Sequence, residues 1–315
     1  MFRRKRKSVH LILRSHFHGE KFRAGKLPPQ KIKKFIVEYG VDLPIDRPIQ
    51  KKDIILVTPQ PGSSISNFNT TEKKFLSDAL KHGKKVVVGE MTRSKAELKK
   101  LWSMKGKLYK MDLTLMENPT LNDIKKYFIL TANYGKFRHE LIRGNIKYAI
   151  KKKETPIEVI YGSAHSLLSK ELKKEGIESS RKIKPQVFIH EIILLRKLMA
   201  GVSPSQIKPI EYKRAFVSLL SFDDRMYTNV TGKNWFKIND KDTRFYALME
   251  TTMLNRLSEE QIDKIIKTKD LSLMFTFNGI SNPFKENISR RKFHEQLIEF
   301  LNKYSDFQKI HKQFK

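Results

Sequence analysis

The stretch PIEVIYGSAHSLLSKELKKEGI, residues 156–177, opens with a run of β-branched and apolar residues, Pro156 to Tyr161, that is too short for a helix and is followed at once by Gly162, Ser163, Ala164 and His165. Such a run, bounded by turn residues, predicts a buried strand. Val9–Leu13, Ile54–Thr58 and Lys85–Gly89 read the same way, and a further strand is predicted at Gln186–Ile189. Longer amphipathic stretches separate the runs. Over Thr71–His82, Asn69 is placed to cap the N-terminus with Glu72 three residues on, and Gly83 supplies a C-terminal stop. From Asn122 to Lys151, Phe128, Leu130, Phe137, Leu141, Ile142, Ile146 and Ala149 recur at helical spacing.

Strands alternating with helices predict an α/β class, with a mixed or mostly parallel sheet flanked by helices. Beyond Gly201–Pro209, where Gly, Ser and Pro cluster, only helices are expected: Glu211–Phe222, Asp242–Leu257, Ser258–Lys267 and Arg290–Tyr304, preceded by Glu191–Met199. The expected organisation is a basic N-terminal arm at 1–8, an α/β domain at 9–200 and a mainly helical region at 201–315. A length of 315 residues suits two structural units.

Composition narrows the chemistry. The chain has no cysteine, which excludes disulfides, thiolate zinc sites and a cysteine nucleophile. The apolar run after the basic start, Val9–Leu13, is too short for a signal peptide or a membrane span, so a cytoplasmic protein without an integral membrane segment is expected. The chain carries 64 Lys and Arg against 33 Asp and Glu, a formal charge of +31. That excess attracts polyanions, nucleic acid first among them. The plainer reading is a compositional bias spread along the whole chain, and no RNA-binding motif with its stacking aromatics is recognisable. Self-association is left open.

In α/β folds the polar groups that do chemistry gather at the carboxyl ends of strands. The first strand is followed by Ser15, His16, Phe17 and His18, the run Lys85–Gly89 by Glu90 and Arg93, and the run at 156 by His165. His18, Glu90 and His165 are therefore expected to converge. Two histidines and a carboxylate suit a divalent ion such as Mn, Co, Zn or Fe, or a histidine base oriented by an acid. His16 is a substitute for His18. Arg143 and Asn145, on the helix before the strand at 156, are placed to lean over the same edge, Arg143 as an anion clamp; Arg138, Arg143 and Lys147 read equally as a solvated basic face.

These segments carry a resemblance. Residues 157–177 resemble the closing GxxH segment of the TraB/PrgY pheromone-shutdown proteins, grouped with the Tiki proteases, ChaN and the erythromycin esterases: a strand, a GxxH turn and a helix ending in glycine. KKVVVGEMTRSKAEL, with Glu90 and Arg93, resembles the family's strand followed by a Glu and an Arg. FRHELIRGNIKYAI resembles its Arg- and Asn-bearing helix, mapping onto Arg143 and Asn145. The opening motif departs from the pattern, since Ser15 stands where the family has glycine if His18 is its histidine. The resemblance spans roughly residues 9 to 180. It implies a hydrolase of a peptide or ester bond acting on a peptide or small-molecule substrate, in some members metal-dependent. His18, Glu90, Arg143 and His165 would form the site, with His18, Glu90 and His165 as the ligands of any metal. The alternative is a non-enzymatic basic protein that binds nucleic acid or a ribonucleoprotein surface.

Other motifs carry less. Pro59–Ser64 lacks the GxxxxGK[ST] pattern of a phosphate loop, and residues 162–165 lack the GxSxG of a nucleophile elbow. Asp223 and Asp224 have no third acid near them in sequence, His190 and His294 sit on apolar helices, and Trp235 with Phe236 reads as packing.

Overall fold

A computed structural model of the chain describes residues 9–14, 34–37, 85–88, 92–153, 157–162, 167–177, 179–183, 189–222, 240–282 and 285–304. The strands expected at Ile54–Thr58 and over residues 186–188, and the helix expected at Thr71–His82, lie outside them. So do the loop at 59–64, the acidic pair at 223–224 and the aromatic pair at 235–236.

Among the described residues helix dominates. In chain order the helices are α1 (Lys95–Met116), α2 (Leu121–Lys151), α3 (Leu168–Lys174), α4 (Ile189–Met199), α5 (Pro209–Phe222), α6 (Asp240–Arg256), α7 (Glu259–Thr268), α8 (Leu273–Phe277) and α9 (Arg290–Tyr304). The strands are four to six residues each: β1 (Val9–Arg14), β2 (Lys34–Val37), β3 (Lys85–Val88), β4 (Ile157–Gly162) and β5 (Ser179–Ile183). They pair in parallel in the order β3-β2-β4-β1-β5. The expected α/β layer class is therefore corrected. The described chain is predominantly helical, its strands are short, and helices of 22 and 31 residues fill 95–151, of which only the part from 122 was expected as helix. Ile189, expected to end a strand, opens helix α4 instead. A short apolar run is compatible with either state, and here the run joins the helical pattern that follows it.

The contacts divide the chain into two units. Unit 1 comprises residues 1–109 and 130–185, and unit 2 comprises 110–129 and 186–315.

In unit 1 the core is built from one face of α2 and the strand-to-helix segment at 157–177. Ile142, Ile146 and Ala149 of α2 pack with Ile157 and Val159, which share one face of β4, and with Leu168, Leu172 and Ile177. The C-terminus of α3 shows why glycine stands at 176. The Ile177 amide donates to the Leu172 carbonyl and the Gly176 amide to Lys173, both at 3.0 Å, and Gly176 has φ +72°. That left-handed residue closes the helix, while Ile177 folds back against Leu172. A second cluster joins α1 and α2 through Leu101, Phe137 and Leu141, with Met104 and Tyr134 at its margin.

Unit 2 is a bundle in which α4 packs on α5 and α6, α5 on α7, α6 on α8 and α9, and α7 on α8. Tyr212, Phe216, Phe275 and Phe293 are fully buried, and the Phe275 and Phe293 rings meet edge to face at 5.4 Å between centroids. Ser258 and Gln261 form a reciprocal capping box at the start of α7, each bonding the other's backbone amide.

Candidate functional site

Of the residues singled out by sequence, His16, His18, Glu90 and His165 lie outside the described residues. Arg93, Arg143 and Asn145 lie within them, and all three belong to unit 1. Among the described residues no group of three His, Asp or Glu side chains is placed to hold a metal ion. The α/β part of the expectation is corrected, since the described part is mainly helical; the residues expected to ligate a metal, His18, Glu90 and His165, lie outside the described residues.

Arg93 precedes α1. Ser94 accepts the Glu97 amide at 3.1 Å, which caps the helix, and the Glu97 carboxylate accepts both the Arg93 amide (2.6 Å) and its guanidinium (2.8 Å). The guanidinium lies against the α2 backbone at Gly144, where a Cβ would fall 2.1 Å from its Nη1. Any side chain at 144 would make the Arg93 guanidinium, the free end of a flexible side chain, move aside. The structure thus brings Arg93 to the turn of α2 that carries Arg143 and the buried Asn145.

Arg143 faces α3. His139, Arg143 and Lys147 lie at i, i+4 and i+8 on α2, and Glu171 on α3 and Glu175 at its C-cap stand four residues apart, so groups of opposite charge meet across the two helices. His139 Nδ1 is 3.1 Å from Glu171, Arg143 Nη1 3.2 Å from Glu175, and Lys147 Nζ 3.0 Å from Glu175; Arg143 Nε stands 3.7 Å from Glu171. Burial raises the Glu171 carboxyl. The His139 hydrogen bond and the charges of His139, Arg143 and Lys174 outweigh it, and the group is held below its ordinary value. Arg143 therefore has two protein carboxylates against its guanidinium, which is the work of a structural ion ladder. As an anion clamp it would first have to release them.

The feature that the sequence reading missed is the outward face of α1. Leu101 is buried and Met104 packs against the core beside it. Opposite them Lys95, Lys99, Trp102, Gly106 and Tyr109 recur at spacings of four, three, four and three residues, within a narrow stripe at 100° per residue. Trp102 is 47% exposed and Tyr109 66% exposed. Lys95, Lys99 and Lys110 are exposed on or beside this stripe, and no ion pair with a described carboxylate engages them. The Lys105 ammonium lies 5.6 Å from the Trp102 ring centroid. Ser94-Lys95-Ala96-Glu97 is the S-x-x-E signature of a helix start and marked this helix in the sequence. Apolar residues on both faces hid its period.

No protein-family model matches the chain, and neither a curated protein nor a solved structure is significantly similar to it. No helix among the described residues is long and apolar enough to cross a membrane.

Proposed function

We propose that this chain is a basic protein that binds nucleic acid, or a ribonucleoprotein surface, without catalysing a reaction on it. The observation that carries the reading is the charge balance. If every Asp and Glu were matched to one cation, 31 of the 64 Lys and Arg would still have no carboxylate partner. A surplus of that size condenses polyanions through counterion release, which makes affinity fall steeply with salt. Arg143, the described member of the expected catalytic set, is meanwhile paired with Glu171 and Glu175, which it shares with His139 and Lys147. The test is filter binding or anisotropy of the full chain with single-stranded and duplex oligonucleotides between 50 and 300 mM NaCl. Affinity that drops about a hundredfold or more over that range supports the reading. Absent or salt-insensitive binding refutes it.

A second reading, a hydrolase resembling the TraB and Tiki proteins, draws on one observation. β1 and β4 are parallel neighbours with Arg14 opposite Gly162, and in sequence His18 follows the first by four residues and His165 the second by three. It expects peptide or ester turnover that His165→Ala abolishes while the circular dichroism spectrum stays unchanged. Turnover retained in that variant would remove the reading.

A further inference from the structure

We propose that the outward stripe of α1, from Lys95 to Tyr109, is a docking strip for single-stranded nucleic acid, with Trp102 and Tyr109 as stacking platforms. The inference rests on the polyanion-binding reading and assigns it a surface. Three observations carry it.

The first is the exposure of two large aromatic rings on a helix that already has its own buried face. A helix in a folded unit normally turns its aromatic residues inward, because each ring removed from water is favourable. Leu101 and Met104 of α1 do so beside Phe137, whereas Trp102 and Tyr109 point the other way. Seven residues of helix separate the two rings by roughly 10 Å along the axis.

The second is Gly106, which lies between them on the same stripe. Glycine in a helix interior costs about 1 kcal/mol relative to alanine. Elsewhere on the helical pair a glycine is explained by close approach, as Gly144 is by Arg93, but a Cβ at Gly106 would meet nothing within 4 Å. Packing within the fold therefore does not account for it. The position leaves open space above the helix backbone between the two ring positions on the stripe.

The third is charge. Lys95 and Lys99 extend the stripe toward the helix N-terminus, both exposed. Cations interleaved with aromatic rings match a strand whose phosphates and base faces are both accessible. A duplex buries its base faces in stacking, so the rings would find nothing to stack upon. A membrane surface fits less well. Interfacial helices segregate one continuous apolar face from one polar face, and α1 instead carries apolar residues on opposite sides with its inner face already packed.

The experiment compares the full chain with Trp102→Ala/Tyr109→Ala and with Lys95→Glu/Lys99→Glu, using fluorescein-labelled dT12 and U12, a duplex of the same length, and phosphatidylserine-containing vesicles. Both pairs are exposed, and circular dichroism confirms that each variant folds. The aromatic pair is expected to weaken dT12 and U12 binding tenfold or more with little change in the salt slope, and to affect the duplex less. The lysine pair is expected to flatten the salt slope. Single-strand affinity within twofold of wild type in the aromatic variant, with wild type binding normally, overturns the strip and leaves the polyanion reading standing. No binding by wild type at any salt overturns both. Vesicle binding that depends on Trp102 and Tyr109 while oligonucleotide binding does not, or a dimer that the aromatic variant dissolves in sedimentation, assigns the face to lipid or to a second copy and overturns the proposal.

Discussion

Replacing Glu171 by Gln removes one charge from the α2–α3 ladder while keeping the side chain's size. Its carboxylate stands 3.1 Å from His139, a residue only 1% exposed, and 3.7 Å from Arg143 Nε. Glu171 itself is 24% exposed and Arg143 25% exposed, so the ladder is screened by solvent more than a buried pair and less than a surface one. Exposed pairs contribute about 0.2–1 kcal/mol, and breaking a buried one costs about 3–5 kcal/mol. Between those limits, the expected loss at pH 7 is about 1–2 kcal/mol. Its pH dependence follows from the depressed carboxyl. The contribution is fully present above the unfolded value of 4.5 and is lost as pH falls through the lower folded value. Urea unfolding of wild type and Glu171→Gln, followed by circular dichroism at pH 7, 5 and 3.5, measures both quantities. A difference below about 0.3 kcal/mol at pH 7 would show that the ladder does not hold α3 on α2. A difference that persists undiminished at pH 3.5 would show that the carboxylate charge is not its source. Either result would return Arg143 to consideration as a group available to a ligand.

Other expectations concern the two units separately. Burial pushes the Glu191 carboxyl on α4 up to about 7. A carboxyl that is neutral when folded and ionised when unfolded loses stability as pH rises from 4.5 to 7; Glu191→Gln should flatten that decline in urea midpoints and be more stable at pH 8 by up to about 3 kcal/mol. An unchanged pH profile would contradict the buried carboxyl. Phe275→Ala, which empties a fully buried site beside Phe293, should cost about 3–5 kcal/mol in the same assay, and a loss under 1 kcal/mol would mean that the α8–α9 packing is not as described. Lys153, just past α2, has φ +58°, so Lys153→Gly should gain about 0.5–1 kcal/mol by relieving a left-handed non-glycine residue. Destabilisation would indicate that its side chain makes a contact worth more than that relief.

Helices with one apolar face were legible in the sequence, because periodicity and caps act within a few residues of one another. The helix expected from Asn122 to Lys151 is α2, Leu121–Lys151, begun by Thr120 and Asp123, which bond each other's backbone amides. The helices expected at Arg290–Tyr304 and Ser258–Lys267 are α9 and, within a residue at each end, α7. Four described elements were missed, β2, β5, α1 and α8, and for β5 and α1 the sequence shows why. β5, Ser179–Ser180–Arg181–Lys182–Ile183, has no apolar alternation; it is a strand because it pairs along the edge of β1, where a polar, charged sequence is what an edge tolerates. α1 was obscured because its apolar residues point both inward and outward.

The site shows the same division. The i, i+4 spacing of His139, Arg143 and Lys147, and of Glu171 and Glu175, is written in the sequence, but so are many other charged repeats in a chain with 64 Lys and Arg. Only the packing of α3 on α2 chooses those partners and brings Arg143 against two carboxylates. The seat of Arg93 at Gly144, 51 positions away, is likewise invisible to any local pattern. By itself the sequence determined the charge surplus, the absence of thiol chemistry and the spans of the helices with one apolar face, since each is a property of composition or of neighbours along the chain. The tertiary structure decided which face of α1 meets solvent, which of the described cations are paired and how few of the described residues enter strands. Those outcomes are set by contacts between distant segments, whose free energy outweighs local propensity and is not encoded in any single stretch.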